Sequence, residues 1–296
     1  MLWHGMKIRG ASMFVLVGLA LAVGLSACGG SSLKSAVDPV AAAAAKTAAA
    51  KTARFSMKMN EQLPGLSTPI SITAEGTMDL ANRRMSMSMD MSQMAALGGS
   101  AVGSPSDWNI EMVADGLVLY MKMPFLQREL KTDKPWFKLD MKSVGKQQGV
   151  DLSALMNYDP GEVTRYVDYL RGSKDMMVVG HELVRGVETT RYLGSVDFGT
   201  YLKALPADKR AAAKEALAKV GKFGKPEYGL FEVWVDAQQR VRRETFSYSL
   251  NATATEKLKA SFSMELYDYD APVSITVPPA NQTVDMMQLA GSLGSG

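Results

Sequence analysis

Hydrophobic and polar residues alternate with a period of two over much of this chain, which is the pattern of a β-strand with one buried face. Three such segments follow one another, with the apolar sets Phe55, Met57, Met59; Ile70, Ile72, Ala74, Met78, Leu80; and Met85, Met87, Met89, Met91. The residues between them are mostly Ser, Thr and charged side chains. We therefore expect strands whose apolar side chains share one face of a sheet.

The same alternation returns later in the chain. Its apolar sets there are Leu117, Leu119, Met121, Met123; Phe137, Leu139, Met141; Phe231, Val233, Val235; and Leu258, Ala260, Phe262, Met264, Leu266. Turn signals at 82–84, 115–116, 185–186 and 236–239 separate the segments, and residues 176–183 and 187–198 predict a central hairpin, with a return strand over 242–250. Continuous apolar runs are scarce, which favours an antiparallel sheet with one solvated face.

Three segments predict helices. Asp38-Pro39 is typical of an N-cap followed by proline at the first helical position, and it opens an alanine-rich stretch from Val40 to about Thr52. Residues 163–170 and 207–220 carry apolar side chains at helical spacing. All three segments have few large apolar residues. The strands therefore offer more apolar surface than these helices can cover.

This surplus of apolar surface requires neighbouring strands, a partner or a ligand to bury it, because its exposure would cost about 25 cal/mol per Å². Of the 21 methionines, the 18 that follow residue 27 favour a ligand, since flexible thioether side chains suit pockets for varied apolar shapes. A methionine-filled solid core would give the same pattern, so both interpretations stay open. If there is a cavity, we expect its lining to include Met57, Met59, Ile72, Met85, Met87, Met89, Leu119, Met121, Leu139, Val233, Phe262 and Met264.

The N-terminus has the form of a signal peptide. Lys7 and Arg9 precede an apolar core, Met13 to Leu25, that is shorter than the roughly 20 residues of a membrane-spanning helix. The run ends in Leu25-Ser26-Ala27-Cys28, which resembles the lipobox of bacterial prolipoproteins. That resemblance implies cleavage before Cys28 and lipidation of its thiol. The alternative is an ordinary secretory signal with an incidental cysteine.

Composition excludes several classes of function. Removal of residues 1–27 lowers the cations from 33 to 31, against 30 anions, so no positive field remains to attract nucleic acid. The mature chain would keep one cysteine, Cys28, and one histidine, His181. Disulfides, a cysteine nucleophile and a metal site with several imidazoles are therefore unfavoured, and we expect no cofactor. His181 could still form a triad with a serine and an aspartate, but the sequence has no nucleophile elbow of the Gly-x-Ser-x-Gly type.

Three short motifs carry a family resemblance: Lys134-Pro135-Trp136-Phe137-Lys138, the run from Gly186 to Tyr192, and the run from Ala271 to Pro279. Together with the order of elements they resemble the LolA-like envelope lipoproteins of actinobacteria, the LppX/LprG group. The resemblance spans most of residues 38–280. It implies a half-barrel, that is, a curved antiparallel sheet with helices over an apolar concave face, which binds lipids or acylated glycolipids. It transfers no catalytic residue.

The sequence therefore predicts an α+β fold with a curved antiparallel sheet and a few helices covering its concave apolar face. We expect a signal peptide over 1–27, a lipidated cysteine and flexible tether over 28–37, a ligand-binding domain over 38–284 and a disordered tail over 285–296. The expected role is that of a non-enzymatic lipid carrier or chaperone, anchored to the outer face of the cytoplasmic membrane. The alternative is a structural or sensory envelope module that binds a protein or cell-wall partner.

The lipobox makes a direct prediction. In a bacterial host that processes lipoproteins, we expect Cys28→Ser to abolish acylation, because only a thiol accepts the diacylglycerol group. Intact-mass spectrometry and detergent partition measure the loss. An acylated, membrane-bound Cys28→Ser protein would contradict the assignment of Cys28 as the attachment site.

Overall fold

A computed structural model describes residues 39–62, 68–93, 104–148, 177–197, 210, 226–251 and 257–289 of this chain. These residues contain twelve strands: β1 Thr52–Gln62, β2 Ile70–Asp79, β3 Arg84–Asp90, β4 Asn109–Asp115, β5 Val118–Lys122, β6 Trp136–Asp140, β7 Met177–Val184, β8 Val187–Asp197, β9 Pro226–Asp236, β10 Val241–Asn251, β11 Lys257–Tyr267 and β12 Thr283–Asp285. The helices are α1 Pro39–Ala48, α2 Pro124–Glu129 and α3 Met141–Gln148, with 3₁₀ turns at Pro105–Trp108 and Ala280–Gln282. No helix among the described residues is long and apolar enough to span a membrane.

All twelve strands belong to one open, curved sheet in the order β12-β6-β5-β4-β3-β2-β1-β11-β10-β9-β8-β7. Two meanders make up this sheet, β1 to β6 and β7 to β11, and pairing between β1 and β11 joins them. Every neighbouring pair is antiparallel except β12 and β6, which run parallel. The predicted fold class, an α+β chain built on a curved antiparallel sheet, is confirmed.

The register of the strands collects the apolar side chains on one face. Met57 lies opposite Met264 on β11 and opposite Ala74 on β2. Because side chains alternate between faces along a strand, matched apolar positions on neighbouring strands form continuous rows. We call the face that carries Phe55, Met57 and Met59 the apolar face, and the opposite one the polar face.

A network of charges covers the polar face over β7 to β11. Arg243 bridges Glu265 Oε1 at 2.8 Å and Glu182 Oε1 at 3.0 Å, and the indole of Trp234 donates to Glu182 Oε2 at 2.9 Å. Arg185, in the β7–β8 turn, reaches Glu265 Oε2 at 2.7 Å. Each exposed pair stabilises little by itself, but the connected set links four strands, β7, β9, β10 and β11, and the β7–β8 turn.

Helix α1 docks on the sheet through small residues, as its sequence predicts. Val40 and Ala43 join the buried core, and the backbone N–H of Val241 donates to Thr47 Oγ1 at 2.8 Å. The helix contacts β9 and β10. The hydroxyl of Tyr269 donates to the carbonyl of Val241 and holds the same junction.

The predicted end of this helix was wrong. We expected it to continue to about Thr52, but it ends at Ala48, and Thr52 begins β1. The backbone of Lys51 explains the difference, since its N–H donates to Asp270 Oδ1 at 2.8 Å and its carbonyl accepts from Leu80 N–H at 2.9 Å. These tertiary bonds draw the chain into the sheet despite its high helix propensity.

Two strands differ from the prediction. Strand β9 covers Pro226–Asp236 and is longer than the predicted segment 231–235. Strand β4 was not predicted. The apolar alternation of Ile110, Met112 and Ala114 in β4 is masked by Val113, which is buried on the other face.

The central hairpin is confirmed, with Arg185 and Gly186 at φ of 50° and 77°, as is the turn at Gly116. The helical predictions for 163–170 and 207–220 lie outside the described residues, Arg210 apart.

Gly76 tests the packing of the apolar face. A Cβ at this position would lie 2.3 Å from the carbonyl oxygen of Ser86 and 2.7 Å from the ring of Phe55. We expect Gly76→Ala to lower the free energy of unfolding by about 2–3 kcal/mol, because neither the strand nor the ring can move away freely. Urea unfolding measures the change. Ser88→Ala on the polar face is the control, with an expected change below about 0.5 kcal/mol; equal stability of the two variants would contradict this packing.

Candidate functional site

The apolar face extends across most of the sheet. Met121, Met112 and Met87 are successive cross-strand partners on β5, β4 and β3. On the other side of β1, Phe262, Phe246 and Phe231 are successive partners on β11, β10 and β9. Flexible thioethers thus dominate one half of the face and aromatic rings the other. Such a surface suits apolar groups of varied shape.

All twelve residues predicted from the sequence lie on this face. Nine belong to a single buried cluster: Met57, Met59, Ile72, Met85, Met87, Met89, Val233, Phe262 and Met264. Leu119 is partly buried against the cluster, and Leu139 lies opposite Leu119 on β6. Met121 pairs with Phe137, which is fully buried. The structure therefore brings the predicted set together, while its contact with a ligand stays a prediction.

Sequence reasoning missed two carboxyl groups on the same face. Glu244 lies between Met264 on β11 and Val233 on β9. Glu61 lies between Ala260 on β11 and Ile70 on β2. The sequence carries a signal for Glu244. Because side chains alternate between faces, Glu244 lies on the same face as Phe246 and Tyr248. Arg243 and Thr245 lie on the opposite face.

Glu244 is the more unusual of the two. Burial raises the pKa of its carboxyl to about 7, and among the described residues none is hydrogen-bonded to its Oε1, which has no accessible surface. The residue as a whole nevertheless keeps part of its surface accessible. Glu244 therefore lies at a partly accessible position of the apolar face, although its Oε1 is enclosed by protein atoms.

Aromatic side chains surround this position. Phe246 and Tyr248 follow Glu244 on β10 with ring centroids 5.8 Å apart, and Tyr192 on β8 lies opposite Val233. All three are only partly buried, whereas Met57 and Met264 in the same sheet are 7% and 5% exposed. Burial and then the nearby charge of Glu61 raise the pKa of Tyr248 to about 12. The apolar face is thus closely buried at β1 and β11, and it keeps partly accessible side chains on β4, β5, β8 and β10 that pack against the same cluster.

Two open grooves also form among the described residues, both away from the apolar face. One, of about 780 Å³, lies beside β6 and β12 and is lined by Tyr120, Lys134, Lys138 and Asp285 among others. Lys134 donates to the carbonyl of Thr283 at 3.3 Å. The other, of about 580 Å³, lies on the polar face between Ser56 and Ser88. The walls of both grooves combine charged and hydroxyl side chains with apolar residues, such as Val284 in the first and Met57 in the second.

The edge strand β7 exposes apolar side chains. Met177, Val178 and Leu183 are 54%, 57% and 60% exposed. His181 on the same strand is exposed, and its Nδ1 lies 3.4 Å from Thr190 Oγ1. Within the described part of the chain, no group of three or more His, Cys, Asp or Glu side chains is arranged to hold a metal ion. Cys28 lies outside the described residues.

The solved structures that are similar to this chain include those of two mycobacterial proteins. LppX, a lipoprotein of Mycobacterium tuberculosis, is 13% identical and matches over 81% of this chain and 100% of its own, with a TM-score of 0.45. LprF from Mycobacterium bovis is 14% identical over 82% of this chain and 96% of its own, with a TM-score of 0.43. Both are mycobacterial LolA-like lipoproteins, the group named by the sequence resemblance. A likeness at this level concerns overall architecture and assigns no function.

The sequence comparisons assign no function to this chain. No protein-family model matches the chain. An uncharacterized 31.2 kDa protein of Streptomyces griseus, from the rplA–rplJ intergenic region, is 28% identical over 162 residues, which are 53% of this chain and 50% of that protein. This chain thus spans about half the length of the curated relative it matches.

The shifted pKa of Glu244 predicts a pH-dependent stability. The pKa of this carboxyl is the ordinary 4.5 in the unfolded chain and about 7 in the folded protein. Between these two pH values the unfolded state therefore binds fewer protons than the folded state. Stability from this group is therefore complete below the lower value, falls as the pH rises through the interval and is constant above it. The expected loss is about 3 kcal/mol.

Urea unfolding of wild type and Glu244→Gln at about pH 4 and about pH 8 measures the contribution of the Glu244 carboxyl to stability. We expect the difference in free energy of unfolding between the two proteins to change by about 3 kcal/mol across that range, because glutamine does not ionise. A constant difference would show that Glu244 titrates alike in the folded and unfolded states.

Proposed function

We infer that this chain is a cell-envelope lipoprotein that binds a lipid or an acylated glycolipid against its apolar face and carries or chaperones that ligand. The observation that carries the proposal is the apolar face, which extends across most of the sheet and keeps partly accessible side chains on β4, β5, β8 and β10. A sheet that only supported a fold would gain stability from close packing everywhere on this face. The accessible surface at Glu244 and Phe246 instead suits a space that a ligand fills.

The composition of the face favours acyl chains over compact apolar ligands. One row runs across the strands from Met121 through Met87 to Phe55. Another runs from Phe231 through Phe262 to Met59. An extended hydrocarbon makes contacts along such a row, and each buried methylene group contributes about 0.8 kcal/mol. Methionine side chains adapt to chains of different length and branching.

The proposed location follows from the N-terminus rather than from the sheet. Acylation of Cys28 would hold the protein on the extracytoplasmic face of the cell membrane, with residues 29–37 as a tether. The short tether keeps the apolar face close to the bilayer, where an acyl-chain ligand is collected. Neither step requires a catalytic residue or a cofactor.

Bound lipid tests the proposal directly. The full chain is purified through an affinity tag, its non-covalent lipid is extracted with organic solvent, and the extract is quantified by mass spectrometry against protein. We expect about one lipid or acylated glycolipid per chain. An extract without lipid, together with a filled interior in an experimental structure, would favour the alternative of a structural module that binds a protein or cell-wall partner.

A matched pair of variants on β5 locates the binding surface. Met121→Gln places an amide on the apolar face with little change of shape, and we expect it to weaken binding of a pyrene-labelled diacylglycerol by about tenfold, since an unpaired polar group costs about 1–3 kcal/mol. Lys122→Gln changes the polar face one residue away and should leave the Kd unchanged. Equal Kd values for both variants and wild type would place binding elsewhere.

A further inference from the structure

Glu244 stands in a row of apolar side chains that the strand register fixes. Its partners in the row are Met264 and, beyond it, Met57 on one side, and Val233 and Tyr192 on the other. A hydrophobic residue at this position would continue the row without interruption. A carboxyl group here is therefore an exception to the pattern of the face.

The polar face shows what a structural carboxylate in this sheet looks like. Glu265 accepts hydrogen bonds from Arg243 and Arg185, and Glu232 accepts from Arg191 and Thr245. Glu244 has no such partner at Oε1 among the described residues. A polar group held without a partner lowers stability, and proteins retain such groups chiefly at functional sites.

The position of Glu244 also fits a role in binding. It lies on a partly accessible part of the apolar face, two residues before Phe246 on β10 and in one cross-strand row with Val233 and Tyr192. Burial favours the neutral form of the carboxyl. A neutral carboxyl carries an O–H donor, whereas a carboxylate only accepts.

We propose that Glu244 is the polar recognition residue of this apolar site and donates a hydrogen bond to a hydroxyl or carbonyl oxygen of the bound lipid. The inference rests on the proposed lipid-binding function and deepens it, because it specifies the ligand chemistry. An acyl ligand with an oxygen group within its buried part would satisfy Glu244, while a plain hydrocarbon would leave it unpartnered. Apolar pockets commonly gain specificity from a few placed polar groups in this way.

Two probes that differ by one hydroxyl test the proposal. The full chain, washed free of bound lipid, is titrated with a pyrene-labelled long-chain alcohol and with the matched pyrene-labelled alkane. We expect the wild type to bind the alcohol about tenfold more tightly than the alkane, which is the size of effect that one satisfied buried hydrogen bond produces.

Three variants separate recognition from folding. Glu244→Gln keeps an N–H donor and should retain most of the preference for the alcohol. Glu244→Leu should bind both probes equally and unfold at higher urea concentration than wild type, because it continues the apolar row. Ser247→Ala, on the polar face of the same strand, should keep both the preference and the wild-type affinities.

The outcomes distinguish this inference from the proposed function. If Glu244→Leu keeps the preference for the alcohol, Glu244 does not recognise the oxygen group, although lipid binding stands. If Glu244→Gln loses the preference while a pyrene-labelled long-chain amine binds more tightly than the alcohol, Glu244 acts as an anion and the donor role is wrong. If neither probe binds to any of these proteins, the proposed function itself fails.

Discussion

Pairing between β1 and β11 is the constraint on which the rest of this structure depends. It joins residues 54–62 to residues 259–267 and so connects two meanders that are far apart in the sequence. Contacts at one end fix the register, since Thr52 Oγ1 donates to the carbonyl of Ala271 at 2.6 Å and the N–H of Asp270 donates to the carbonyl of Thr52 at 2.9 Å. A slip of one residue would move every apolar side chain of β1 to the polar face.

This register also explains how the sheet tolerates a carboxyl group on its apolar face. Strands β7 to β11 are held by their backbone ladders and, on the polar face, by the connected ion pairs of Arg185, Arg191 and Arg243. The indole of Trp234 is 4% exposed and lies beneath two of these guanidinium groups. Part of the stability of this half therefore comes from the face opposite the proposed site. The apolar face at β10 is thereby free to depart from close packing and to hold a carboxyl group.

Local patterns predicted the sheet well because each strand carries its own alternation and each turn its own residues. The turns at Gly116 and at Arg185-Gly186 follow from a short sequence signal, and so does the placement of Met57, Met87 and Phe262 on one face. The features that escaped prediction depend on distant partners. Helix α1 ends where Lys51 meets Asp270 and Leu80, and β12 is three residues long and exists through its parallel pairing with β6.

Glu244 was not predicted as a residue of the apolar face for a different reason. A charged residue in an alternating segment is ordinarily placed on the solvated face, and only the phase set by Phe246 and Tyr248 puts it on the apolar one. The depth of the group and the lack of a donor at Oε1 depend on β9 and β11, which no local window includes. Buried polar exceptions of this kind are where sequence patterns fail and where function is best sought.

The central claim is that the apolar face, and not the polar face or the sheet edge, binds the ligand. Photo-crosslinking the full chain with a diazirine-labelled diacylglycerol, followed by peptide mass spectrometry, tests it on the single strand β10, where the two faces alternate residue by residue. The account predicts adducts at Glu244, Phe246 and Tyr248 and none at Arg243, Thr245 or Ser247. Adducts at the latter three residues, or only on the exposed edge strand β7, would contradict it.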